Sequence, residues 1–246
     1  MASAFVGCHN IPLNVIRTII NSAGPQSTLS NISSLCSDKN ITETTLDLNS
    51  FFQNIKPTNI SSMLSNWHAT SELTSITGQL PSSVTNANSA FIANEKLDTV
   101  PSDIFKKITE TVSLNRTFAG TALQSFAGAV DGLLPADFLP VKATDLSFLF
   151  ANTKIARDLS AVSSIDSGLF SSLSKLTSVR GMFYNCSRIN GAVDNLFIKN
   201  EKLVDASQAF KGTKAVVYGG QIFNDNASVM IDGMFAGNDT EDDRAI

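Results

Sequence analysis

The sequence predicts an α/β repeat solenoid, short parallel strands alternating with short helices or 3₁₀ turns, over a single domain spanning residues 1–246. Three observations predict it. A phenylalanine-led motif recurs along the chain, the recurrence covers nearly all of it, and the aromatic content is 16 Phe beside two Tyr and one Trp. The motif reads Phe-Ala-Gly-Thr from Phe118, Phe-Ala-Asn-Thr from Phe150, Phe-Tyr-Asn-Cys from Phe183, Phe-Lys-Gly-Thr from Phe210 and Phe-Ala-Gly-Asn from Phe235. Weaker versions in phase begin at Phe5, Leu35, Leu64 and Ile92. These nine anchors are spaced by 30, 29, 28, 26, 32, 33, 27 and 25 residues, inside the window of roughly 20–50 residues that marks solenoids.

Within each unit the first Phe closes a short helical or 3₁₀ turn and points inward. The Gly or Asn two positions later suits a tight left-handed turn. A short extended stretch follows, as at 96–100, 122–126 and 214–218, and stacks in parallel from unit to unit. A second apolar anchor lies 13 to 20 residues after the first, at Phe105, Phe138, Phe170, Phe197 and Phe223. No unit buries both rings alone; stacked neighbours do, and each ring fully buried is worth about 1.5–3 kcal/mol. Residues 13–23 carry apolar positions at Leu13, Ile16, Ile19 and Ile20 before Gly24-Pro25, the pattern of an amphipathic helix inserted in the first unit. Residues 238–246 read as an acidic C-terminal tail.

The segments MFYNCSRI, QAFKGTKAV and LDTVPSDIFKKIT resemble the BspA-like branch of the leucine-rich repeats, most strongly over 92–237. The motif's Cys stands only at Cys8 and Cys186, with Thr at 121, 153 and 213, and its Pro only at Pro12 and Pro101. The resemblance implies a leucine-rich-repeat-like solenoid and names no ligand. Degenerate repeats of this kind are also similar to those of bacteriophage structural proteins.

Composition narrows the function. Charged residues are 16% against about 25% in an average soluble protein, while Ser, Thr and Asn number 72. A net charge of −4 leaves no electrostatic footprint for nucleic acid or an anionic membrane. No apolar run approaches the roughly 20 residues of a membrane-spanning helix, and no signal peptide is visible, so no membrane insertion is expected. The seven Asn-X-Ser/Thr sequons then follow from composition. Cys8, Cys36 and Cys186 are odd in number and lack CxxC spacing, which argues for buried small hydrophobes and against disulfides or zinc.

His9 and His68 sit in no metal or triad motif, so no cofactor and no metal are expected. Asp145, Asp158 and Asp166 are the carboxylates that a glycosidase-like pair would need, but Asp at such places reads as a turn residue. Asp239, Glu241, Asp242 and Asp243 lack EF-hand spacing and read as a solvated tail. Trp67, directly after the Leu64 anchor, is expected to be buried. The chain is expected to be no enzyme but a structural and recognition protein of a larger assembly, with a bacteriophage virion (tail, fibre or host-attachment part) as its place after cytoplasmic synthesis. Either other subunits cover the uncapped solenoid ends, making it an oligomer or part of a complex, or the chain is part of a longer product, and a host-surface protein or glycan would be its target. The alternative is a free-standing extracellular or cell-surface adhesin for a protein or glycan. A carbohydrate-active solenoid enzyme is a remoter one.

Overall fold

In the computed structural model, residues 2–22, 24, 29–67, 69–162, 168–224 and 228–238 are described. Five of the coils start from an Asx side-chain turn. Asn31, Asn59, Asn86, Asp145 and Asp205 each accept, at 2.8–3.0 Å, the N–H of the second residue downstream. A ribbon of overlapping turns follows. In the coil from Leu114, the amides of Thr117, Ala119 and Thr121 donate back to Leu114, Arg116 and Phe118. The intervening amides of Leu114, Arg116, Phe118 and Gly120 point the other way and donate to Asp145, Ser147, Leu149 and Ala151 of the next coil at 2.9–3.1 Å. Alternate N–H groups thus close the turn and join the coils, so the ribbon pairs as a parallel strand does.

The alternation needs left-handed backbone at two positions four residues apart, φ +56° at Arg116 and +68° at Gly120 in this coil. The ribbon pairing recurs nine times among the described residues, from residues 3–7 to 233–237, with both left-handed positions in eight of them and only the first, Ser62, in the ninth. Backbone with recurrent positive φ cannot wind into a right-handed helix. The helical or 3₁₀ half of each unit is therefore not what forms. Described helices are confined to α1 (Leu13–Asn21), α2 (Leu48–Phe51) and a 3₁₀ turn, Leu159–Val162.

The extended stretches form a second ladder. β1 (Thr45–Asp47), β2 (Ser75–Thr77), β3 (Thr99–Pro101) and β5 (Ser125–Ala127) make one parallel sheet in that order, and β7 (Ala156–Asp158), β8 (Arg188–Ala192) and β9 (Lys214–Val216) another. β4 (Val112–Ser113) and β6 (Ala143–Asp145) pair in parallel on the ribbon side. Between β5 and β7 the second ladder breaks, because the Phe126 N–H that would face the next coil donates instead to Gly132 in the 128–141 loop. The ribbon ladder runs on past the break.

Polar residues stitch the coils. At several steps one carbonyl receives two backbone amides: Thr58 and Asn59 on Ser30, Thr85 and Asn86 on Thr58, Thr177 and Ser178 on Thr144. The hydroxyls of Thr58, Thr85, Thr144 and Thr177 also donate to the preceding coil's carbonyl at 2.9–3.3 Å. Three residues past the anchor, Asn94, Thr121 and Thr213 return a donor to the carbonyls of Phe91, Phe118 and Phe210 at 2.8–2.9 Å. Thr or Asn can therefore stand where the resembling motif has Cys, since each supplies the donor.

The core is one continuous cluster along the coils. Phe91, Phe118, Phe150, Phe183, Phe210 and Phe235 stack in a single column, with centroids 5.5–6.2 Å apart and planes within 19°. Register corrects two of the expected anchors. Phe5 N–H donates to Leu35, Cys36 N–H to Met63, Leu64 N–H to Ala90 and Phe91 N–H to Thr117, which places Cys36 and Phe91, not Leu35 and Ile92, in the column. Leu35 is buried beside it, whereas Ile92 belongs to a separate small cluster on the ribbon's outer side. Phe105 and Phe138 meet edge-on at 5.2 Å, and Phe170, Phe197 and Phe223 follow at 4.7 and 5.8 Å. The two columns touch through Phe105–Phe118 and Phe197–Phe210.

In α1, Leu13, Ile16 and Ile20 are buried; Ile19, expected on the same face, is 37% exposed. Glu43 Oε1 accepts the Leu13 N–H at 2.6 Å, and Asn54 donates its backbone N–H to Asn21 Oδ1 and its Nδ2 to the Asn21 carbonyl, tying the helix to the α2 coil. Asn238, counted with the acidic tail, is buried and caps β9 through Thr213 and Ala215; residues 239–246 lie outside the described residues. Phe150→Ala is expected to cost about 3–5 kcal/mol because the ring is fully buried between two column neighbours, whereas Phe235→Ala, half-buried at one end, costs distinctly less. Urea midpoints followed by circular dichroism check the difference.

Candidate functional site

The structure gives the candidate carboxylates turn roles. Asp145 accepts from Ser147 N–H at 2.8 Å and Asn115 Nδ2 at 3.1 Å. Asp158 accepts from both Ser160 N–H and Oγ, at 3.0 and 2.6 Å. They belong to different sheets, and Asp166 lies outside the described residues. His9 is exposed in a turn; His68 and the cluster Asp239, Glu241, Asp242 and Asp243 also lie outside the described residues. Among the described residues no three His, Cys, Asp or Glu side chains are placed to hold a metal ion.

Trp67 corrects another expectation. It stands three residues past the Leu64 anchor, the position that Cys8 and Thr121 take in their coils, yet is 62% exposed. Asn66, where the ribbon's second left-handed residue belongs, has no positive φ; its backbone N–H still reaches Ile92 at 3.0 Å, while its side-chain Nδ2 donates to the Ala69 carbonyl at 2.8 Å. Without that left-handed turn the chain departs after Asn66 and Trp67 is left exposed. One coil earlier Lys39 fills this position, is almost completely buried, and donates to Asn40 at 3.1 Å.

The outer side of the ribbon carries an arrangement the sequence reading missed. Ile92, Ala93, Ala119 and Ala151 form a small apolar floor against which Phe148 and Tyr184 lie half-buried. Phe148 has φ +55°, a conformation that costs a non-glycine residue about 1–3 kcal/mol. Its ring lies over Gly181, where a Cβ would overlap it, so the glycine makes the room. Arg116 stands 4.8 Å and Arg180 5.9 Å from the Phe148 centroid, and Lys211 is 5.4 Å from that of Tyr184. The two rings are 6.4 Å apart, inclined at 57°. The signal available in the sequence was a Phe at position 148, two residues before an anchor, where other coils place Ser, Gly, Gln or Arg.

A groove of about 650 Å³ opens between residues 102–109 and the 128–141 loop. Phe105, Lys106 and Ile108 form one wall and Val130, Pro135 and Val141 the other. Arg157 lies between them, its Nη1 3.2 Å from Asp131 and its Nε buried without a partner.

The fold thus defines a class, a parallel-stranded repeat solenoid. Comparison with protein-family models, with curated proteins and with solved structures finds no match for the chain.

Asp145→Asn keeps an acceptor for Ser147 and is expected to unfold like the parent, whereas Asp145→Ala loses about 1 kcal/mol; thermal unfolding of both variants checks the capping role. Burial pushes the Cys36 thiol up to about 12, against the opposing charge of Lys39, and the Cys186 thiol up to about 11, against hydrogen bonding from Thr153. Both values lie above the ordinary 9.0, so above that pH the unfolded chain loses protons that the folded chain keeps. Stability is expected to fall as pH rises from 9.0 toward 11, by up to about 1.4 kcal/mol per pH unit and thiol. Urea unfolding across that range should show a shallower decline for Cys186→Ala.

Proposed function

We propose that the chain is a non-catalytic structural and recognition module of a larger assembly, joined at its solenoid ends to further protein. The observation that carries this reading is the ribbon ladder, whose alternate amides pair coil to coil without a break from residues 3–7 to 233–237, so that further protein can extend it by the same bonds. Ala206, Gln208, Phe210 and Gly212 donate to the following coil at 2.8–3.0 Å, but among the described residues the equivalent amides of Ile231, Gly233, Phe235 and Gly237 have no acceptor. At the other edge the carbonyls of Ala2, Ala4 and Val6 likewise accept nothing among the described residues. One edge offers donors at the two-residue spacing with which the other offers acceptors, and half-buried Phe235 and Phe5 stand at the corresponding column positions. An unpaired strand-like edge is a template for another chain, and a head-to-tail contact of this kind builds open stacks.

The motif resemblance supports a BspA-like leucine-rich repeat, and the recurring Phe anchor with its donor three residues on agrees with it. A bacteriophage virion is the assembly that the sequence favours. Among the described residues no helix is long and apolar enough to cross a membrane. Subunits at the open edges are the proposed partners, with a host-surface protein or glycan as target. The reading as a free-standing adhesin draws support from one observation, the aromatic and cationic patch on the outer ribbon. Concentration-dependent end-to-end stacks are expected in light scattering and negative-stain images, dispersed by Phe235→Lys. A monomer at every concentration would overturn the joining role, and absence of the chain from purified particles of its source would overturn the virion reading.

A further inference from the structure

We propose that the outer ribbon face around Phe148 and Tyr184 binds a carboxylate-bearing saccharide, its carboxylate held by Arg116 and Arg180, which Phe148 positions, and its sugar ring seated beside the aromatic edges. This goes beyond the assembly reading and does not depend on how the ends are joined. The first support is unspent charge. The chain has net charge −4, yet among the described residues neither Arg116, Arg180 nor Lys211 pairs with a carboxylate or donates a side-chain hydrogen bond; the ion pairs found lie at Lys96–Glu72, Lys142–Glu110 and Arg157–Asp131. The two guanidinium groups flank one ring, and their planar forks match a carboxylate.

The second support is the platform. Phe148 adopts left-handed backbone, which presents its ring outward, and Gly181 leaves the space beneath it. Beside the rings, Asn185 Nδ2 donates to Asn152 Oδ1 at 3.0 Å, which leaves the Asn152 amide nitrogen as a donor and the Asn185 amide oxygen as an acceptor among the described residues. Aromatic edges with one amide donor and one acceptor beside them fit the hydroxyls of a sugar.

Other occupants fit less well. A peptide adding as a strand needs free backbone groups, but the outward amides here are spent between coils, Arg116 on Ser147 at 2.9 Å and Phe148 on Arg180 at 2.7 Å. Three cations on an acidic chain are too few to neutralise a nucleic-acid strand.

Titration calorimetry of the full chain with hexagalacturonate and with an oligomer of N-acetylneuraminic acid tests the proposal, using methyl-esterified hexagalacturonate and dextran sulfate as comparisons. Binding of at least one carboxylated probe is expected, with the methyl ester, and the Arg116→Ala, Arg180→Gln and Phe148→Ser variants, each weaker by about tenfold or more. Circular dichroism of the two arginine variants, whose side chains are exposed, should be unchanged. Silence of both carboxylated probes, equal binding of the methyl ester, undiminished binding by the arginine variants, or tighter binding of dextran sulfate would each overturn it.

Discussion

Every second backbone amide of the ribbon has to reach the next coil, and the rest of the molecule follows from that requirement. Overlapping turns alone would satisfy the chain within itself and leave the coils unconnected. Left-handed residues such as Arg116 and Gly120 reverse alternate amides, so the same eight-residue stretch both turns and pairs. Once the pairing register is set, side chains at equivalent positions lie directly over one another. The Phe118–Phe150–Phe183–Phe210 column is the apolar result, and the threonine hydroxyls at 58, 85, 144 and 177 are the polar one.

That requirement also accounts for the unusual polar content. A buried amide or carbonyl left unpaired costs about 1–3 kcal/mol, and a solenoid has such groups at every change of direction. Short side chains with a donor or acceptor close to the backbone deal with them locally. Asn59 and Asp145 start the ribbon, Thr121 and Asn94 end it, and Thr85 reinforces the step between coils. Much of the Ser, Thr and Asn is therefore structural mortar. Long charged side chains could do none of this at such short range.

The phenylalanine spacing and the Gly or Asn two residues later made the coils legible in the sequence, because both recur at fixed offsets from the ribbon. Phase was harder where two apolar residues adjoin. Leu35-Cys36 and Phe91-Ile92 each offer two candidates, and the choice is made by left-handed backbone at Ser34, Asp38, Ser89 and Ala93, none of them a residue that advertises it. Trp67 was misjudged for a related reason, since the departure at Asn66 depends on one side-chain hydrogen bond. The patch at Phe148 escaped notice because its members, Arg116, Phe148, Arg180 and Lys211, come from four successive coils and meet only through register.

The loop at 128–141 has a mechanical side. One seam of the solenoid is closed over its whole described length by the ribbon bonds, while the opposite seam is cut where Phe126 turns its amide to Gly132. A beam continuous along one flange and notched along the other bends at the notch. Curvature under load would concentrate between β5 and β7, opening and closing the groove at Arg157, while the columns on either side kept their stacking.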